Sequence, residues 1–90
     1  MAKTIISQTG DIVNYDNIAA IYTDDNLVEN SDGTESLTYL ICADTIQDIT
    51  YVLGEYDTEH EVLNARNDLV KWLDKEMFGV YNVSQNEGDE

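Results

Sequence analysis

Hydrophobic positions along the chain change period once, near Thr58, and that change divides the sequence into a β-rich part and a helical part. Before Thr58 the apolar residues come in short, closely spaced runs. Lys3–Ser7 carries Ile5 and Ile6, and Gln8-Thr9-Gly10-Asp11 then reads as a turn in which Gly10 is free to take positive φ. Ile12–Tyr15 resumes an extended pattern, Asp16-Asn17 interrupts it, and Ile18–Thr23 is apolar and β-branched enough for another strand. Asp32-Gly33 is a hairpin signal whose expected arms are Leu27–Asn30 and Glu35–Thr38. Leu37–Ala43 is the clearest strand, with Leu37, Tyr39, Ile41 and Ala43 alternating against Thr38, Leu40 and Cys42. Both of its faces are apolar, which places it centrally in a sheet. Asp44–Asp48 turns the chain and Ile49–Tyr56 returns as its partner.

From Thr58 onward the spacing is helical. Thr58-Glu59-His60-Glu61 fits a capping box, and Val62, Arg66, Leu69, Leu73 and Met77 follow at turns of a helix expected over Glu59–Phe78. Gly79 stops it, and Val80–Val83 is a last extended piece. The fold class that follows is α+β: an antiparallel β-meander of about four to six strands packed against one C-terminal α-helix. A single domain is expected over residues 1–83, with 84–90 an acidic, disordered tail.

Composition changes this picture in one respect. Nineteen acids stand against four bases in 90 residues, a formal charge of −15, while 42% hydrophobic content keeps the chain in the globular range. Residues 1–58 hold eleven acids and one base (Lys3); residues 59–90 hold eight acids with Arg66, Lys71 and Lys75. Such a surface repels nucleic acid and anionic membrane and attracts basic surfaces. Alternate residues on one face of a strand lie about 7 Å apart, close to the spacing of successive phosphates, so a row of acids can imitate a polynucleotide to a basic groove. The first candidates are Asp24, Asp25, Glu29, Asp32 and Glu35; Asp44, Asp48, Glu55 and Asp57 come second. Tyr15, Tyr22 and Tyr56 are the aromatic interface candidates. The competing reading is that the acids only solvate the surface.

Catalytic and metal chemistry find little support. An EF-hand loop counted back from Gly33 puts Val28 at the first ligand position and Tyr39 at the twelfth. His60 stands alone between Glu59 and Glu61, and Cys42 lies in the best strand without an activating signature. Arg66, inside the apolar stripe, either packs its stem and sends its head to solvent or pairs with a carboxylate from the sheet, the second being slightly favoured. No catalytic residue, cofactor or metal is assigned. One cysteine permits no internal disulfide, and Met1–Thr9 lacks a signal-peptide pattern, so a cytoplasmic protein is expected.

Ile5-Ile6-Ser7-Gln8, Ile12-Val13-Asn14-Tyr15-Asp16-Asn17-Ile18 and Leu53-Gly54-Glu55-Tyr56-Asp57-Thr58-Glu59 together resemble a group of small, uncharacterised proteins of Firmicutes bacteria, their phages and mobile elements. The pattern departs at Thr9, where an acid is usual, and at His60, where Glu is usual. The resemblance implies a shared fold and a mobile-element setting, and no activity. In size and charge, though in no motif, the chain also resembles anti-CRISPR and anti-restriction DNA mimics. The expected function is therefore non-enzymatic: an inhibitor that occupies the basic nucleic-acid channel of a host defence nuclease, a CRISPR effector among them. The alternative is an adaptor or regulatory interaction module whose acidity serves solubility.

Overall fold

The computed structural model describes residues 3–75 and 79–85, and three hairpin turns of one design shape its β-rich part. In each, a residue at position i accepts from the amide of i+3 and donates to the carbonyl of i+4. The pairs are Ser7 with Gly10 (3.0 Å) and Asp11 (2.9 Å), Asn30 with Gly33 (3.1 Å) and Thr34 (2.8 Å), and Thr45 with Asp48 (3.0 Å) and Ile49 (2.8 Å). The i+3 residue is left-handed every time: Gly10 at φ 97°, Gly33 at 89° and Asp48 at 68°. This is the three-residue hairpin loop closed by a left-handed residue, a position glycine takes at no steric cost and aspartate tolerates. The chain has no proline, so these residues carry the turning alone.

The turns connect β1 (Lys3–Ile6) to β2 (Ile12–Asn14), β3 (Ile18–Glu29) to β4 (Glu35–Thr45), and β4 to β5 (Thr50–Tyr56). A 3-10 turn, Tyr15–Asn17, links β2 to β3; α1 (Glu59–Lys75) and β6 (Gly79–Asn82) complete the order. The fold is α+β, with six strands in two three-stranded sheets and one helix among the described residues. One sheet runs β2-β1-β6, with β1 antiparallel to β2 and parallel to β6; the other runs β3-β4-β5, all antiparallel. β4 is central, as its two apolar faces require.

The structure departs from the sequence expectation at four places. The strands Ile18–Thr23 and Leu27–Asn30 are one strand, β3, because its register with β4 runs unbroken from Ala20↔Asp44 to Glu29↔Glu35. The stretch Asp24–Asn26 is therefore strand despite its poor β propensity; pairing overrides it. The helix stripe passes through Ala65, not Arg66: Val62, Ala65 and Leu69 are buried. Arg66 is exposed and its guanidinium donates to Asn67 (3.4 Å), so the expected carboxylate from the sheet is not its partner there. Ser84 and Gln85, expected in the tail, join the fold: Ser84 O accepts from Gln8 Nε2 (2.8 Å) and Tyr56 Oη (2.7 Å). The expected helix end over residues 76–78, Met77 included, and the tail over 86–90 lie outside the described residues.

One core joins both sheets and the helix. Ile5 and Val13 come from the first sheet, Ile41, Ala43, Leu53 and Tyr56 from the second, and Val62, Ala65 and Leu69 from α1. The capping box forms, with Glu61 N donating to Thr58 Oγ1 at 3.1 Å. Gly54 has a packing reason. A Cβ there would stand 2.9 Å from the Tyr56 ring and 3.1 Å from Val83, so only glycine lets that ring lie against β5.

Candidate functional site

β5 ends at Tyr56, opposite Tyr39, while β3 and β4 continue. From Asn26 and Thr38 outward the second sheet is therefore a two-stranded arm, about 13 Å of paired strand plus its turn. The molecule measures 48 × 29 × 19 Å with a radius of gyration of 13.8 Å, against about 12 Å expected for 90 residues.

The first group of predicted acids collects here. Glu29 and Glu35 face each other directly across the ladder, Asp32 sits at the tip, and Asp24 and Asp25 flank the root. Alternation divides them between faces. Asp25, Glu29 and Glu35 share the face of Ile21 and Ala43; Asp24 lies on the opposite face, with Asp44 and Glu55 further back along the sheet. The single phosphate-like row expected from spacing is thus replaced by an arm with Glu29 and Glu35 on one face and Asp32 at its end, while Asp24 stands on the opposite face at the root. The physical reason is the period of a strand: adjacent Asp24 and Asp25 must point apart.

Hydroxyls and amides orient several of these carboxylates. Asp32 Oδ1 accepts from Thr34 Oγ1 (2.7 Å) and Thr34 N (3.0 Å), and these bonds hold its carboxyl below the usual aspartate range. Asp44 Oδ1 accepts from Thr50 Oγ1 (2.7 Å) and Tyr22 Oη (3.1 Å); the bond to Asp44 raises the Tyr22 phenol. Glu55 accepts from Thr38 at 2.6 Å. The four bases all lie on β1 or α1, none on the arm. Lys3 Nζ donates to Leu73 O at 2.6 Å and lies 5.6 Å from the Tyr15 ring centre.

Other predicted residues fall elsewhere. Asp48 occupies the left-handed position of the β4–β5 turn, at the far end of the sheet from the arm, where its backbone role accounts for it. Asp57 is exposed between β5 and the helix cap. Tyr22 is exposed on β3 and Tyr15 is half-buried. Tyr56 is corrected: at 2% exposure it is a core residue, its hydroxyl spent on Ser84, and it is not available to a partner. Cys42 is buried, and that burial, with Asp24 and Asp44 nearby, raises its thiol, so it is a poor nucleophile at neutral pH.

Two features were not anticipated. Leu27 and Leu37 form a cross-strand pair in the arm at 62% and 44% exposure, an apolar spot bracketed by Asp25, Glu29 and Glu35. Their opposition becomes readable only once the turn at Asp32-Gly33 fixes the register. A groove of about 450 Å³ also lies between β3 and α1, lined by Tyr15, Ile18, Ile21, Leu69, Val70 and Leu73, with Arg66 and Asp74 beside it.

Among the described residues no three His, Cys, Asp or Glu side chains gather as a metal site. Among them, too, no helix is long and apolar enough to cross a membrane. No protein-family model, curated protein or solved structure matches the chain.

Proposed function

We propose that the protein is a non-enzymatic inhibitor whose arm enters the basic nucleic-acid channel of a host defence nuclease and occupies it in place of polynucleotide. The observation that carries this reading is the Glu29–Glu35 pair. Like charges directly opposite on a ladder oppose its formation, yet they stand at the last paired position of the arm, with Asp32 beyond them in the turn. A local rule broken at one protruding place is the mark of a surface shaped for something other than stability. An arm charged along one face and at its tip, with Asp24 on the other face at its root, suits a channel that it enters end-first better than a flat basic patch. The channel's lysines and arginines would meet it as they meet phosphates, with the same sensitivity to salt. Inhibition of this kind is stoichiometric and takes place in the cytoplasm of the host cell, the setting that the resemblance to phage and mobile-element proteins implies.

The test is capture of partners from a host lysate at low salt by the protein and by a variant with Asp24, Asp25 and Asp32 changed to Asn and Glu29 and Glu35 to Gln. The expected result is a nucleic-acid-binding protein that is retained by the wild type, released by added salt or polynucleotide, and not retained by the variant. Equal retention by both proteins refutes the assignment.

The exposed Leu27–Leu37 pair favours a second reading, an adaptor that docks this apolar spot on a protein surface and uses its charge for solubility. Binding that ignores salt and is lost in Leu27→Ser selects that reading.

A further inference from the structure

We infer that the free edge of β3 accepts an extended, basic segment of a partner protein as a fourth strand of the second sheet. This inference shares Asp24, Asp25 and Glu29 with the proposed function but rests on backbone geometry, which that reading does not require. β3 is the longest strand among those described, 12 residues without proline, and β4 pairs it on one side only. The opposite edge of the same sheet is closed: Gln8 N donates to Leu53 O (2.9 Å), and Glu55 N donates to Gln8 Oε1 (2.7 Å). An antiparallel edge strand turns about half of its amides and carbonyls away from its partner, so β3 offers a row of outward donors and acceptors; the Asp25 amide in that row donates to Asp24 Oδ1 (2.8 Å) and would exchange this bond for one to the added strand.

What would lie beside that row is specified at both ends. Next to Ile18–Ile21 the groove against α1, walled by Leu69, Val70 and Leu73, can take apolar side chains projecting from one face of an added strand. Further along, Asp24, Asp25 and Glu29 present carboxylates on both faces, and β3 contains no base. The matching segment therefore has apolar residues at alternate positions at one end and lysine or arginine at the other. A second copy of this chain matches poorly. It carries the same −15, and pairing two β3 edges across their outer halves sets aspartates against aspartates.

The probe is a capped ten-residue peptide with valine at its first three odd positions, lysine at the last two and threonine between, tested in both chain directions. Binding should slow hydrogen exchange at the β3 amides that face away from β4 and shift resonances along Ile18–Glu29. N-methylation of alternate threonine amides, which keeps every charge and side chain, should weaken binding about tenfold or more, as expected when an interfacial hydrogen bond is removed. Val70→Arg alters an exposed residue, 52% accessible, so the fold should persist, as helical circular dichroism will show. It should weaken the peptide by a similar factor. Equal binding of the N-methylated peptide, protection on another element, or β3 protection arising from self-association without peptide would each overturn the inference. None of these outcomes decides the lysate experiment above, and loss of capture there leaves this result standing.

Discussion

Gly54 and Tyr56 show how a single side chain is admitted by the absence of another. The Tyr56 ring lies 2.9 Å from where a Cβ on Gly54 would stand, closer than such contacts allow, and its hydroxyl reaches Ser84 O. Gly54→Ala should cost about 1–3 kcal/mol in chemical denaturation, the usual penalty for overpacking a filled site. Asp32 makes a prediction in pH. Its folded pKa is depressed, so its contribution is complete above the ordinary aspartate value and is lost as pH falls through the depressed one. Protection of the Gly33 and Thr34 amides, measured against intrinsic exchange at each pH, should therefore fall on acidification before that of the core strands. The alkaline side has the opposite sign. Burial raises Tyr56, Tyr81 and Cys42, so their contribution is complete below the unfolded values and disappears as pH climbs through the raised ones. Urea midpoints should accordingly fall above about pH 10. Much of this scale was legible. Gly10, Gly33 and the Thr58 cap could be named from their neighbours in sequence. The role of Gly54 could not, because the atoms that exclude a side chain there belong to Tyr56 and Val83.

Among the elements, the arm carries the most consequence. Replacing Glu35 with Lys places opposite charges across the ladder at Glu29 and should stabilise the hairpin by about 0.2–1 kcal/mol. If the proposed function holds, Glu35→Lys should also weaken inhibition, so stability and activity move in opposite directions. Thermal unfolding and an inhibition titration of the same protein check both halves. The helix offers a control: Thr58→Ala removes the acceptor for Glu61 N and should cost about 1 kcal/mol with no change in partner affinity. The helix was readable because its period and its cap are local. β4 was readable because alternation with two apolar faces has one good explanation. The union of two expected strands into β3 was not, since Asp24, Asp25 and Asn26 are poor strand residues and are held extended by Leu40, Tyr39 and Thr38 across the ladder.

At the scale of the whole molecule, charge is distributed as unevenly as shape. The acids of the arm project at one end. Arg66, Lys71 and Lys75 sit on the later turns of α1, which begins beside the arm's root and runs away from it. A net −15 opposes compaction, and added salt screens that repulsion over about 8 Å at physiological strength. The melting temperature should rise from low to physiological sodium chloride while affinity for a basic partner falls; differential scanning calorimetry beside a binding series measures the two together. The parallel β1–β6 pair is the feature furthest from any sequence signal. It joins Lys3 to Gly79 and Ile6 to Asn82, and nothing local marks two short segments near opposite ends of a chain as neighbours.

The amino-acid order alone determined the α+β class, the capped helix, the central strand, the hairpin tip at Asp32-Gly33 and the excess of acid in the β-rich part, because each is set by residues within a few positions of one another. Tertiary structure decided which acids share a face, that Tyr56 is core and Arg66 is not, that one sheet edge is closed and the other open, and that the charge stands on a projecting arm. Those outcomes depend on register and on contacts between residues distant in sequence, whose energies exist only once the strands have paired and the helix has docked.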